Sequence, residues 1–218
     1  MKTRSRKSRT KLRQPRLSIW VITIQFILMF NVSQIFAQDA TRELFGVNIT
    51  NFGYGGPAIK FSRFNNQFAF MTGGRGAITI NNRYTIGGGG YGIANSINLP
   101  GPEPDTKRIF KMGYGGLELG YIFFFGKKVN IGGSLLVAAG AAFWQNKPKS
   151  NGEKLFDDDF KIFPVLEPEL YSEIALNRFM WLHAGISYRY VYHAHLDYLS
   201  DQNIRGFSCY VGLLFGKQ

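Results

Sequence analysis

The sequence has one cysteine, Cys209, in 218 residues. No intramolecular disulfide can form, so a small scaffold stapled by bridges is excluded. Sustained 3.6-residue periodicity is also missing beyond the first forty residues. Stretches such as GYGGP, TGGRGA and TIGGGGYGIA would break helices, because each glycine costs about 1 kcal/mol in a helix interior. A helical bundle is therefore excluded. Positive charge is less abundant than the formal +12 suggests. Residues 1–16 alone hold eight Lys/Arg and no acid, and without them 18 Lys/Arg face 14 Asp/Glu, a charge of +4. The case for nucleic acid disappears with that leader.

What is present begins with the leader itself. The basic stretch MKTRSRKSRTKLRQPR is followed by the apolar run LSIWVITIQFILMFNVSQIFA, which ends at Ala37. This order has the form of a secretory signal peptide, so 1–37 is expected to be removed on export. Residues 38–52 then form an N-terminal segment, and 53–218 a single domain.

That domain repeats apolar residues with period two, in segments near the ten residues that cross a bilayer as a tilted strand. Residues 117–144, LELGYIFFFGKKVNIGGSLLVAAGAAFW, split at Gly126-Lys127-Lys128. Leu117, Leu119, Tyr121, Phe123 and Phe125 share one face of the first half, opposite Glu118, Gly120, Ile122 and Phe124. Val129, Ile131, Leu135 and Val137 share a face of the second, opposite Asn130, Gly132, Ser134 and Leu136. The pair predicts a hairpin with one greasy side. Residues 57–64, 67–80, 84–95, 165–174, 180–192 and 207–215 continue the pattern and bring the count to eight strands. Pro168 removes a ladder donor, which predicts a bulge or bend. The links at 81–83, 126–128 and 176–178 are tight. Those at 96–108, 145–160 and 194–204 are long and polar, whereas Asn65-Asn66 is short and out of step with them.

These features predict an all-β fold: an eight-stranded antiparallel up-and-down transmembrane β-barrel preceded by a signal peptide. Short turns lie on one rim and long loops on the other. Orientation follows from the sparse face. Its charges are Lys60, Arg75, Glu118, Glu167, Glu169, Glu173, His183 and Arg189, too few and too balanced for a solvated exterior. They suit the narrow interior of an eight-stranded barrel, with the apolar face toward lipid. Such a chain resembles the small eight-stranded bacterial outer-membrane β-barrel proteins, the OmpA-like/OmpX-like group. The resemblance covers roughly residues 50–218 and rests on leader, Gly/aromatic strands, loop alternation and the last strand FSCYVGLLF. It departs at the end, where Gly216-Lys217-Gln218 follow an aromatic residue that is commonly last. The resemblance implies a Gram-negative outer membrane and insertion by the barrel-assembly machinery. Outer-membrane lipids are expected as surroundings, and the barrel is expected to be monomeric and not an enzyme. The role expected is structural, in envelope integrity or surface adhesion with an unidentified ligand.

The lumen charges read either as an ion-selective lining or as a salt-bridge network that fills the bore. If the turn centres on Asn177–Arg178, facing residues sum to about 355 or 356, and the even sum keeps the faces matched. Glu167 then faces Arg189, and Glu173 faces His183. In the loops, Asp157, Asp158, Asp159, His193, His195 and Asp197 are donors of the kinds that bind metals. Their spacing matches no metal motif, so neither a metal nor a cofactor is expected. Two alternative functions stand beside the structural one: a narrow channel for ions or small solutes, and a lipid-modifying enzyme. The enzyme needs a nucleophile in hydrogen-bond reach of a base. His183 and Ser187 share a face but lie roughly 13 Å apart along a strand. The GGGGYG run at 87–92 lacks the helix and Lys-Ser/Thr of a phosphate loop.

Overall fold

The computed structural model describes residues 42–44, 47–49, 51–100, 107–147, 161–194 and 200–216. By its contacts the chain divides into Met1–Gln38 and Asp39–Gln218, and every described residue belongs to the second unit. The expected signal peptide therefore lies outside the described residues. Eight long strands build the barrel: β1 Asn51–Phe64, β2 Gln67–Ile80, β3 Tyr84–Ile93, β4 Lys107–Phe125, β5 Val129–Lys147, β6 Lys161–Ala175, β7 Met180–Val191 and β8 Gly206–Gly216. Each pairs antiparallel with its neighbours in sequence, and β8 pairs with β1 to close the ring. Closure leaves no edge with unpaired backbone groups, which is the condition for a sheet to stand in hydrocarbon. Short strands at Arg42–Leu44 and Val47–Ile49 pair with each other, and Ile97–Pro100 extends the sheet beside β4.

Tight turns come from residues that tolerate positive φ. Asn65 (φ 46°) and Asn66 (φ 59°) fill the two-residue turn between β1 and β2. Both central φ values are positive, as a type I′ hairpin requires, and asparagine is among the side chains least penalised there. Asn81 (φ 52°) and Asn82 (φ 56°) serve the next turn in the same way. Strand direction places the links at 81–83, 126–128 and 176–179 on one rim, together with the start of β1 and the end of β8. The other rim carries the strand ends that the links 94–106, 148–160 and 192–205 join. It also carries Asn65-Asn66, a tight turn among three long links.

The period-two pattern places large apolar side chains outward. Leu119 is 54% exposed, Ile186 52% and Leu170 57%, whereas Glu167, Arg189 and Lys60 are fully buried. Exposed aromatics collect toward the two rims. Tyr84, Phe123, Phe124, Phe125, Phe179 and Phe215 lie at the short-turn end, and Phe68, Phe143, Tyr190, Tyr192 and Phe207 toward the other. Two such belts at the levels of the membrane–water interfaces are the pattern of a transmembrane barrel.

Two local expectations need correction. Phe124 does not face inward opposite Phe123. The β4–β5 register shifts between Ile122 and Phe124, and this bulge inserts one residue. Both phenylalanines are thereby outside, while Ile122 remains buried. Pro168 produces no bulge. Ser187 faces Glu169 on one side of it and Tyr190 faces Leu166 on the other, so the register sum stays at 356. The ladder omits the two intervening pairs and resumes unshifted.

Glycine sets how thin the wall is beside the charged interior. Arg75, Gly89 and Gly116 are register partners across β2, β3 and β4. A Cβ on Gly89 would stand 3.4 Å from the Arg75 Cβ and 3.8 Å from Glu118 Oε2. A Cβ on Gly116 would overlap the Val137 carbonyl oxygen and the Ala138 Cα, which are backbone atoms that no rotamer change moves. We expect Gly116→Val to lower the free energy of unfolding by about 3 kcal/mol, the upper end for overpacking. Urea titration of the refolded barrel, read by gel mobility of unheated samples, checks this. A loss under about 1 kcal/mol would show that the wall yields there.

Candidate functional site

Every predicted lumen charge lies inside the barrel. Alternation along β6 turns Glu167, Glu169 and Glu173 to the interior, and β1, β2, β4 and β7 contribute Lys60, Arg75, Glu118, His183 and Arg189. All eight are buried. Charges removed from water at this depth are tolerable only with close partners, and seven of the eight form one connected set. Lys60 Nζ donates to Glu167 Oε1 at 2.9 Å and to Glu169 Oε1 at 3.3 Å. Its ammonium lies 3.8 Å from the Tyr91 ring centroid, a cation–π contact. Arg75 Nη1 donates to Glu169 Oε2 at 2.8 Å, and Arg75 Nη2 donates to Glu118 Oε1.

His183 extends the chain toward the short-turn rim. Arg75 Nη1 stands 2.7 Å from His183 Nε2. A guanidinium only donates, so Nε2 is the acceptor and the ring proton sits on Nδ1. From there it points to Glu173 Oε1 at 3.3 Å. Tyr210 Oη also approaches Nε2, at 3.2 Å, and Asn130 Nδ2 donates to Glu173 Oε2 at 3.1 Å. The facing of Glu173 and His183 thus follows the register.

Arg189 departs from the expected pairing. Glu167 Oε1 accepts from Lys60 and from Ser187 Oγ at 2.6 Å. Arg189 instead donates through Nε to the Ile204 carbonyl at 3.0 Å and through Nη2 to Ser62 Oγ at 3.2 Å. Its guanidinium lies 4.1 Å from the Phe64 ring centroid. Register predicts neighbours along the wall. In a bore this narrow, long side chains also meet across it, and Lys60 reaches Glu167 from β1. Ser187 and His183 have separate partners, so the nucleophile–base pair an esterase needs is not assembled from these two.

Apolar layers bound the ionic set. Toward the long-link rim lie Phe64, Met71, Ile93, Phe110, Met112, Trp144, Phe163 and Val191, with Ala194 and Ile204 of the last link packed among them. Toward the short-turn rim, Tyr54, Ala77, Trp181 and Leu214 form a second cluster. The order along the bore is apolar, charged, apolar. Sequence reasoning identified the charges but assigned no partner role to Ser62, Asn130, Ser187, Tyr91 and Tyr210, which satisfy them. The available signal was their place on the inner side of the alternation.

Of the loop candidates, His193 is described. It has φ 49°, and its backbone N–H donates to Asp201 Oδ2 at 3.0 Å. Asp157, Asp158, Asp159, His195 and Asp197 lie outside the described residues. Among the described residues no group of three or more His, Cys, Asp or Glu is placed to hold a metal ion. Cys209 is exposed on the outer face.

No protein-family model matches the chain, and no curated protein matches it in sequence. Solved structures do. Neisserial surface protein A is 14% identical with a TM-score of 0.52, over 78% of this chain and 99% of that one. Ail, the attachment invasion locus protein of Yersinia pestis, in complex with a heparin analogue, is 10% identical with a TM-score of 0.47, over 77% and 97%. The N-terminal β-barrel domain of Pseudomonas aeruginosa OprF is 10% identical with a TM-score of 0.45, over 75% and 96%. At these identities a likeness concerns architecture alone, and the match to neisserial surface protein A, taken with closure, strand count and the outward apolar face, shows that the chain has the fold of the small eight-stranded outer-membrane β-barrels.

Proposed function

We propose that this protein is a non-enzymatic barrel of the bacterial outer membrane, exported by its leader and inserted by the barrel-assembly machinery. Its sealed wall carries surface segments that serve envelope integrity or adhesion. The long links 94–106, 148–160 and 192–205 face the exterior on this reading, and outer-membrane lipids surround a monomeric barrel. The supporting observation is the filling of the bore. Among the described residues a charged layer whose members hold one another is bounded by two apolar layers, and eight strands give a bore only wide enough for side chains.

Reconstitution into planar bilayers tests the reading against the channel alternative. No single-channel steps are expected at any applied voltage below membrane rupture. Regular steps that disappear in a variant with an enlarged apolar plug, such as Ala69→Leu, would establish conduction through the lumen and overturn the sealed-barrel reading. Protease treatment of intact cells gives the second check. Cleavage within 148–160 with the strands preserved is expected, and cleavage in the 126–128 turn instead would reverse the orientation.

A further inference from the structure

Arg189 is fully buried, and among the described residues no carboxylate lies within ion-pair distance of it. Its partners are neutral: the Ile204 carbonyl, the Ser62 hydroxyl, the sulfur of Met71 at 3.7 Å and the Phe64 ring. Ser62 Oγ is already engaged with Ser208 Oγ at 3.0 Å and the Phe207 carbonyl at 3.2 Å. The other buried cations of the bore, Lys60 and Arg75, each hold carboxylates. A guanidinium is a fork built for two oxygens of one anion, and bonds to a charged acceptor are about twice as strong as those to a neutral one. Among the described residues, Arg189 is the buried cation of this bore that lacks such an acceptor.

The residue covering it belongs to the last link. A single helical turn, α1 at Asp201–Ile204, folds over the mouth. The Asn65 N–H donates to the Asn203 carbonyl at 2.8 Å, and Asp201 accepts the backbone N–H groups of His193 and Ala194. This turn is fastened by the Asn65–Asn203 bond, the Arg189–Ile204 bond, the Arg205 Nε bond to the Val191 carbonyl at 2.9 Å and the seating of the Ile204 side chain. Ile204 offers two things at once: an oxygen to the guanidinium and an aliphatic side chain to the apolar layer. A molecule with the same two parts, but a full negative charge on the oxygen end, would satisfy Arg189 better than this carbonyl.

We propose that Arg189 is the anchor of a binding site at the long-link mouth for a small anionic amphiphile, an oxyanion with a short apolar tail, and that the 200–205 turn occupies this site until the ligand displaces it. Bound there, the oxyanion takes the Nε and Nη2 donors, and the tail enters the layer of Phe64, Phe110 and Trp144. The apparent affinity is reduced by the fraction of molecules in which the turn is seated, so loosening the turn must tighten binding. The site uses the rim taken above as exterior. Its test reads binding rather than conductance, so each reading can fail without the other.

The full chain in phosphatidylcholine nanodiscs is titrated with hexyl phosphate by calorimetry, with empty nanodiscs, hexanol and inorganic phosphate as controls. Backbone hydrogen exchange of 200–206 is followed in parallel. Saturable binding of hexyl phosphate is expected, with faster exchange in 200–206 and at least tenfold weaker binding of inorganic phosphate and of hexanol. Ile204→Ala is expected to tighten binding at least fivefold, and Arg189→Gln to weaken it at least tenfold. Binding that is absent in both the wild type and Ile204→Ala overturns the proposal, as does equal binding by a folded Arg189→Gln. Inorganic phosphate binding as tightly as the hexyl ester overturns the amphiphile assignment. If Arg189→Gln fails the gel-mobility test for folding, Ile204→Ala decides, and unchanged or weaker binding by it counts against the site.

Discussion

Replacing Arg75 with methionine is expected to lower the free energy of unfolding by about 3–5 kcal/mol, the range for breaking a buried ion pair by removing one partner. Arg75 joins Glu118, Glu169 and His183. Without it Glu169 keeps Lys60, at 3.3 Å. Glu118 is left without a cation among the described residues, on a wall where Gly87, Gly89 and Gly116 provide no polar side chain. The loss arises from the stranded carboxylate more than from the missing contact. A second substitution separates the two effects: adding Glu118→Gln to Arg75→Met should recover about 1–3 kcal/mol, a coupling of the size expected for direct neighbours. Urea unfolding in lipid vesicles, followed by gel mobility of unheated samples, measures both. If the single variant loses less than about 1 kcal/mol, or the double variant is merely additive, the lumen charges do not form the connected set described.

The second large effect concerns the outer face. Ile186→Arg should destabilise by about 2–4 kcal/mol, because Ile186 stands at mid-strand on the outer face, where a cation meets the bilayer midplane. The same change at Phe179, which is 66% exposed in the turn at the short-turn rim, should cost no more than about 1 kcal/mol, since an interfacial arginine reaches water. The contrast is informative because both side chains are exposed in the protein alone and differ mainly in depth. Equal costs at the two positions would mean that the outer face meets water, and the transmembrane reading would fall with that result.

Much of this architecture is legible along the chain. Period two identifies strands, and in the lean, balanced charges of one face the inside can be told from the outside. The Glu173–His183 facing needs only a turn position and parity. Asn65-Asn66 and Asn81-Asn82 announce tight turns through their tolerance of positive φ. Reading failed where a residue's consequence depended on two strands at once. The β4 bulge that turns Phe124 outward is a mismatch between neighbours, and nothing in FFF marks which residue is extra. Pro168 signals a lost donor, but whether a strand bulges or simply omits two pairs depends on the ladder on its other side. The covering of the mouth by the Asp201–Ile204 turn has no periodic signature at all.

Strand count, facing and the membership of the charged interior were thus determined by the sequence itself, because alternation and turn chemistry are local properties of a chain. The tertiary structure decided who holds whom. Glu167 and Arg189 are opposite in register, yet Lys60 takes the first and Ile204 the second. A closed barrel brings β1 within reach of β6 across a bore that sequence distance does not measure, and the last link folds back over the end of β7 to cover Arg189, so long cations choose partners by distances that strand register does not give.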